Sequence, residues 1–392
     1  MAPQKCAFAR ALGDEGLQAG ELERAEDWGR ALATVALNER PGRGDMNWRE
    51  RFHAVWEAAM PRHLVVLLWL AALAALPACR ERPTPQAQQT ASAPPATAPA
   101  DISHGEAPVG SSTEPPPVDP AAPPRSVGRL NTVRIEIRHA KITIAPGVTY
   151  DAWTFGGQVP GPVIRVTTGD TVDFTLVNRA PMPHSLDFHA VEIAPSRVYV
   201  NLLPNDSLHY RFVARVPGAF MYHCGTAPVA LHIANGMYGA IIVDPRGGRA
   251  PAREFVFVQS EFYTTTLPDS TRTIDWQKLL GLAPDYVVFN GRAAEYAKHP
   301  IKVRVGERLR MYVVNAGPNR WSAFHVVGAI FDHVYLDGSL AHPLEGVQTM
   351  SVPVGGGVIF EARLAERGTY PFVSHAFADA TKGAVGMFEA TP

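Results

Sequence analysis

The chain has 392 residues and a formal net charge of −1, so no basic footprint for nucleic acid and no acidic footprint for a cationic partner stands out. A hydrophobic content of 46% with 35 prolines and 33 glycines suits turn-rich globular structure with some unstructured linker. The three cysteines, Cys6, Cys79 and Cys224, are too few and too scattered for a disulfide framework, so each needs its own explanation.

Residues 1–59 carry a stretch of helical character, "EGLQAGELERAEDWGRALATVAL" (15–37), from which no chemistry follows. A start site placed too early accounts for them, with Met60 as the initiator. From Met60 the run "MPRHLVVLLWLAALAALPAC" has a short basic segment, Arg62 and His63, then an apolar core Leu64–Leu76, then small residues before Cys79. That core is too short for a stable bilayer-spanning helix and has the three-part layout of a secretory signal. Its end, "LPAC", resembles a bacterial lipobox, in which the cysteine is lipidated and becomes the mature N-terminus. Residues 80–127 are rich in Pro, Ala, Ser and Thr with almost no large apolar side chains, and read as a disordered tether. The expectation is an exported, lipid-anchored protein facing the periplasm or cell envelope.

From about residue 130 the texture changes to short β-branched and aromatic runs, such as "TVRIEIRHAKITI" and "GAIIVD", punctuated by turn residues about every ten positions. This predicts an all-β sandwich or barrel. The pattern repeats: "GPVIRVTTGDTVDFTLVN" (161–178) is echoed by "HPIKVRVGERLRMYVVN" (299–315), and "PGAFMYHC…NGMYGAIIVD" by "RGTYPFVSHAFADATKGAVGMFEA" (367–390). Two tandem β domains follow, 130–245 and 250–392. The second has no cysteine, so a thiolate metal site can exist only in the first.

Two clusters carry chemistry. "PMPHSLDFHA" (181–190) holds His184, Asp187 and His189; "MYHCGTAPVALHIANGMYG" (221–239) holds His223, Cys224, His232 and Met237. Side chains on a strand alternate between faces, which sorts these residues into two groups. His184, Cys224, His232 and Met237 are two imidazoles, a thiolate and a thioether, the ligand set of a blue-copper electron-transfer centre. Zinc is the bland alternative, but zinc sites seldom recruit methionine. Asp187, His189 and His223 form the second group. Two histidines are too few for a catalytic metal, which takes three protein ligands and leaves a fourth position open. The best third candidate is His375 of "YPFVSHAF", and Asp187 beside an open position would deliver protons or anchor a bound oxyanion.

"PHSLDFHA", "YHCGTAPVALHIANGMYG" and "GTYPFVSHAFADATKGAVG" resemble the two-domain copper-containing nitrite reductases. The spacer in "CGTAPVALH" is similar to the second class of that family, some of whose members are outer-membrane lipoproteins. The resemblance implies cupredoxin domains in a homotrimer, with one type 1 and one type 2 copper per subunit. It puts type 1 copper on His184, Cys224, His232 and Met237, and type 2 copper on His189, His223 and the neighbouring chain's His375. It makes Asp187 the catalytic aspartate. Nitrite would be reduced to nitric oxide, the electron entering at type 1 copper from a small cytochrome c or cupredoxin and passing through Cys224 and His223. The resemblance also implies a second catalytic histidine five residues after His325, where Ile330 stands, and a supporting glutamate where Gln348 stands. On that reading turnover is slow, with His333 a possible substitute. A non-enzymatic copper carrier or store is the rival. A two-domain multicopper oxidase would need His-x-His pairs, and none of the 14 histidines stands two from another.

Overall fold

The structure, a computed structural model, describes residues 115–337 and 340–392. The signal segment, the lipidation candidate Cys79 and most of the tether lie outside the described residues. Among those described, no helix is long and apolar enough to cross a membrane.

In chain order the first elements are β1 (Leu130–Ala145), β2 (Val148–Phe155), β3 (Ile164–Thr167), β4 (Thr171–Asn178) and β5 (Asp187–Phe188). Then come α1 (Pro195–Val198), β6 (Ser207–Val213), β7 (Gly218–His223), α2 (Val229–Ala234) and β8 (Tyr238–Asp244). The chain continues through β9 (Arg253–Phe262), β10 (Thr264–Thr266), β11 (Arg272–Ile274), α3 (Trp276–Leu280), β12 (Tyr286–Phe289) and α4 (Glu295–Lys298). It ends with β13 (Ile301–Arg304), β14 (Leu309–Gly317), β15 (Ser322–Val326), β16 (His333–Leu336), β17 (Thr349–Val352), β18 (Gly357–Ala362), β19 (Gly368–Ser374), α5 (Phe377–Thr381) and β20 (Val385–Thr391).

These strands build two β-sandwiches of cupredoxin type. In the first, a sheet ordered β10-β11-β2-β1-β4-β6 faces one ordered β3-β8-β7-β5. In the second, β12-β9-β14-β18-β16 faces β13-β20-β19-β15-β17. Alternation makes the layers: Ile135 and Ile137 on β1, Phe174 and Leu176 on β4, and Tyr222 on β7 fill the first core together with Cys224 and Met237. Phe255, Phe257, Phe324, Phe360, Phe372 and Phe388 fill the second.

Strands β8 and β14 are buried along their whole lengths, which follows from a third core between the sandwiches. Ala219, Met221, Ala240 and Ile242 on one side meet Val256, Val258, Val314 and Ile359 on the other. The approach is close enough that a Cβ on Gly357 would lie 2.0 Å from the Ala219 carbonyl oxygen. A buried ion network closes the same seam. Arg165 donates from Nε to Asp244 (2.7 Å) and from Nη2 to Glu254 (2.7 Å), and Arg310 donates to Glu254 (2.7 Å) and Glu361 (2.7 Å).

Two details differ from the sequence reading. Residues 115–127, the end of the segment read as disordered tether, pack on both sandwiches: Ala122 N donates to Glu254 O (3.0 Å) and Val256 N to Pro120 O (2.8 Å) in the second, and Ser126 Oγ donates to Asp170 (2.9 Å) in the first. Their backbone groups thereby gain partners that composition cannot reveal. Strands β10 and β11, which follow residue 250, extend the sheet of the first sandwich. Asp275 caps α3 by accepting from Gln277 N and Lys278 N, each at 3.0 Å, which fixes the start of that short helix.

Candidate metal centres

The first cluster forms at one end of the first core. Buried Asn178, at the end of β4, accepts from Ala180 N and donates to the carbonyls of Met182 (2.8 Å) and Leu202 (2.9 Å), shaping the loop that delivers His184. Cys224 follows β7 directly and donates its backbone N–H to Met237 O (3.0 Å), while Met237 N donates to His232 O (3.2 Å). The loop carrying α2 is thereby folded back so that Cys224 and His232 meet His184 at one point and Met237 returns to the core beside Cys224. Close approach shapes it too, since a Cβ on Gly225 would sit 1.2 Å from Tyr199 Oη.

His184, Cys224 and His232 are all buried, and their ligand atoms lie together. His184 Nδ1 is 3.1 Å from His232 Nδ1, and Cys224 Sγ is 3.9 and 3.3 Å from those two nitrogens. Metal–ligand bonds of about 2.0–2.3 Å subtend such separations at roughly 100–130°, so the three atoms fit one ion. Met237 is fully buried in the core that holds Cys224. Burial, aided by neighbouring His232 and His139, pushes His184 down to about 3; burial and His139 push His232 down to about 4. Both imidazoles are therefore neutral, the form that binds metal. Ser185 N donates to Cys224 Sγ (3.4 Å), a hydrogen bond of the kind that tunes a copper–thiolate centre.

The second sandwich repeats this frame without the ligands. Asn315 donates to the carbonyls of Arg320 (2.8 Å) and Val352 (3.0 Å), as Asn178 does in the first. Ser374 N donates to Ala384 O (3.1 Å), Ala384 N to Asp379 O (3.0 Å), and Ala323 N to Ser374 Oγ (3.3 Å). The counterparts of His184, Cys224, His232 and Met237 are thus Ser322, Ser374, Asp379 and Ala384. Arg320 already pairs with Asp379 at 3.0 Å, so no soft donor and no free charge remains for copper.

The second cluster lies on the other face of the same strands. Asp187 on β5 pairs in register with His223 on β7, and His189, two residues on from Asp187, brings Nε2 to 3.1 Å from His223 Nε2. The Nδ1 of His189 faces Gly355 O (2.9 Å) and that of His223 faces Cys224 O (2.9 Å). Each Nδ1–H therefore donates to a carbonyl, leaving both Nε2 lone pairs for one ion. Burial lowers the His223 pKa and keeps that ring neutral. Asp187 Oδ2 is 3.9 Å from His223 Nε2, and its side chain is 41% exposed. Among the described residues this cluster contains no third histidine.

His375 is on the surface of the second sandwich, just beyond β19, with its N–H on Ala323 O (2.7 Å). Its ring centroid is 5.5 Å from that of His325. His325 Nδ1 donates to the main-chain carbonyl of Gln348 (2.6 Å) with Thr349 Oγ1 at 3.3 Å, which orients the ring. This corrects the sequence reading. The histidine beside His375 is His325 itself, and position 330 cannot reach that place because β15 ends at Val326 and Gly328 turns the chain at φ +80°. Ile330 points outward, 58% exposed. The Gln348 group that matters is its carbonyl, which glutamine and glutamate share. His333 lies on β16 in the opposite sheet, near Glu345 (3.5 Å) and Glu361 (3.8 Å), and is no substitute.

Sequence reasoning also missed His139 and Trp153, a cross-strand pair of β1 and β2 that covers the first cluster. The available signal was a histidine in the apolar phase of β1, following Ile135 and Ile137.

A buried His₂Cys set with a methionine, on a β-sandwich and backed by a His₂Asp cluster, defines a copper oxidoreductase built from cupredoxin domains. The multicopper oxidase family model matches residues 136–248. The chain belongs to the copper-containing nitrite reductases: it is 40% identical over 265 residues to the copper-containing nitrite reductase of Neisseria meningitidis serogroup B, covering 66% of this chain and 68% of that protein. It is 32% identical to that of Alcaligenes xylosoxydans, over 58% of this chain and 76% of the relative. Among solved structures, the copper nitrite reductase of Nitrosomonas europaea superposes with a TM-score of 0.62 at 36% identity, covering 67% of this chain and 94% of that one. The protein is a copper-dependent enzyme whose substrate is nitrite.

Proposed function

We propose that each chain holds one type 1 copper on His184, Cys224, His232 and Met237, and that the type 2 site combines His189 and His223 with His375 of the partner subunit in a homotrimer. The observation that supports this is that His375 is absent from the Asp187–His189–His223 cluster of its own chain. One chain gathers Asp187, His189 and His223 in one place, and presents His375 beside His325 on the surface of its other sandwich. Copper supplies one-electron chemistry at both sites, and nitrite reduction to nitric oxide and water consumes one electron and two protons. His223 and Cys224 link the two ligand sets through the chain, and the 2.9 Å hydrogen bond between His223 Nδ1 and the Cys224 carbonyl adds a second connection. Asp187, half exposed beside the His189–His223 pair, holds one proton donor position. His325, fixed at Nδ1 by the Gln348 carbonyl, keeps Nε2 for the other.

A small cytochrome c or cupredoxin is the expected donor, and the Met60–Cys79 segment is expected to anchor the protein to a membrane of the cell envelope by lipid. Expression from Met60 tests that part: the product should be lipidated and membrane-associated, and Cys79→Ser should block lipidation. Loading residues 80–392 with Cu(II) tests the centre: intense thiolate-to-copper visible absorption and nitrite-dependent nitric oxide formation are expected, both lost in Cys224→Ala. A colourless copper-loaded protein would refute the type 1 assignment.

A further inference from the structure

On β1, the alternation that sends Ile135 and Ile137 into the core sends His139 the same way, to the rim of the first metal cluster. Directly across the ladder is Trp153, and the two rings stack with centroids 5.3 Å apart and planes 11° from parallel. Trp153 in turn meets both candidate ligands in steeply inclined ring contacts, with centroids 5.6 Å from the His184 ring and 4.9 Å from the His232 ring. His139 Nε2 is 3.3 Å from His184 Nε2. His184 itself is fully buried, so this is the polar contact available to the far side of its ring.

The chemistry of that contact is constrained. His184 directs Nδ1 at Cys224 and His232, so Nδ1 is the metal-binding atom and its lone pair is committed. A neutral imidazole that binds through Nδ1 carries its hydrogen on Nε2 and can only donate there. His139 Nε2 must then accept, which places the hydrogen of His139 on Nδ1. We propose that His139 is a positioning residue of the type 1 centre, clamped by Trp153, which accepts the His184 Nε2–H and so fixes that ligand's tautomer and orientation and raises its basicity. A more basic imidazole favours the higher oxidation state of the metal it holds, so His139 keeps the reduction potential of the centre lower than it would otherwise be.

The inference rests on the type 1 assignment proposed above, and the experiment separates the two. Full-length mature protein is loaded with copper, and the visible spectrum and the reduction potential of the blue centre are measured for wild type, His139→Phe and His139→Glu. Phenylalanine keeps an aromatic ring on Trp153 but cannot accept a hydrogen bond; glutamate offers a stronger acceptor to the same Nε2–H. The expected result is blue colour in all three, a higher potential for His139→Phe and a lower one for His139→Glu. A loss of copper affinity of about 10–100-fold is expected in His139→Phe alone, the size typical for removing a partner of a metal-bound histidine. Equal potentials in the three proteins, or a shift in one direction for both variants, would overturn the role of His139 while the wild-type colour upheld the type 1 site. A colourless wild type would overturn both. Should His139→Phe fold poorly, Trp153→Leu, which frees the His139 ring from its stack, is expected to raise the potential in the same direction, and an unchanged potential there would also refute the clamp.

Discussion

Replacing His325 by asparagine tests which domain-two residue serves the reaction. The substitution keeps a polar side chain near the Gln348 carbonyl but removes the ring that holds and releases a proton. His325 is anchored at Nδ1 by a 2.6 Å hydrogen bond and lies beside His375, so its ring is already oriented and the loss should be that of a positioned acid–base group. Such groups contribute about 10²–10⁴-fold in rate, or roughly 2.7–5.4 kcal/mol of transition-state stabilisation. The assay is nitrite-dependent nitric oxide formation with both copper populations quantified, resolved into kcat and KM. The fall should be mainly in kcat, with copper content retained. Ile330→His and Gln348→Glu serve as comparisons and should stay near wild type, because residue 330 faces outward and the group at 348 that holds His325 is the main chain. A large gain from Ile330→His together with little loss from His325→Asn would refute the assignment.

Met237→Leu should leave the blue colour and raise the reduction potential, as expected for a weak axial ligand, which electrochemistry of the copper-loaded variant would read. Gly225→Ala should destabilise the protein by about 1–3 kcal/mol, because the added methyl overlaps Tyr199, and should broaden or shift the visible band; denaturant unfolding measures the first and absorption the second. Acid stability should depend on Glu254: burial pushes its pKa up, but Arg165 and Arg310 outweigh this and hold it at about 2, below the ordinary 4.5. A carboxylate depressed in the folded state adds stability that is present above its unfolded pKa and is lost as pH falls through the folded one. Glu254→Gln should therefore remove up to about 3 kcal/mol at neutral pH and flatten the stability profile between about pH 4.5 and 2. An unchanged profile in urea melts would count against the network.

Much of this was legible in the sequence because strand alternation is strict. Residues two apart share a face, so Asp187 and His189 could be grouped, and His223 and Cys224 separated, before any coordinates. The repeat of strand and turn signals exposed the two sandwiches for the same reason. What stayed hidden depends on where strands stop and what lies across from them. The resemblance put the second histidine at position 330 by spacing alone, whereas Gly328 turns the chain after Val326 and carries Ile330 to the surface, away from His375. His139 faces His184 across 45 residues of sequence, and only the register of β1 against β2 shows that Trp153 holds it there. The ordered end of the proline-rich segment was invisible for a related cause: its backbone partners, Glu254 and Val256, belong to β9 of the second sandwich, more than 130 residues on in sequence. The matching asparagines 178 and 315 could have been paired from "LVNRAP" and "VVNAGP", which would have exposed Ser322 and Ser374 as the counterparts of copper ligands.

The division of the type 2 site between chains is tested most directly by mixing two inactive variants. His189→Ala lacks a ligand from the first sandwich and His375→Ala lacks the one from the second, and each alone should have lost type 2 copper and activity. Dissociated and reassembled together in equal amounts, they should form mixed trimers in which about a quarter of the interfaces join an intact His189 to an intact His375, since a cyclic assembly pairs unlike patches of neighbouring chains. Recovery of type 2 copper and nitrite reduction to about that fraction of wild type is the predicted result. Verified mixed trimers with no recovery would place all three histidines in one chain and contradict the account.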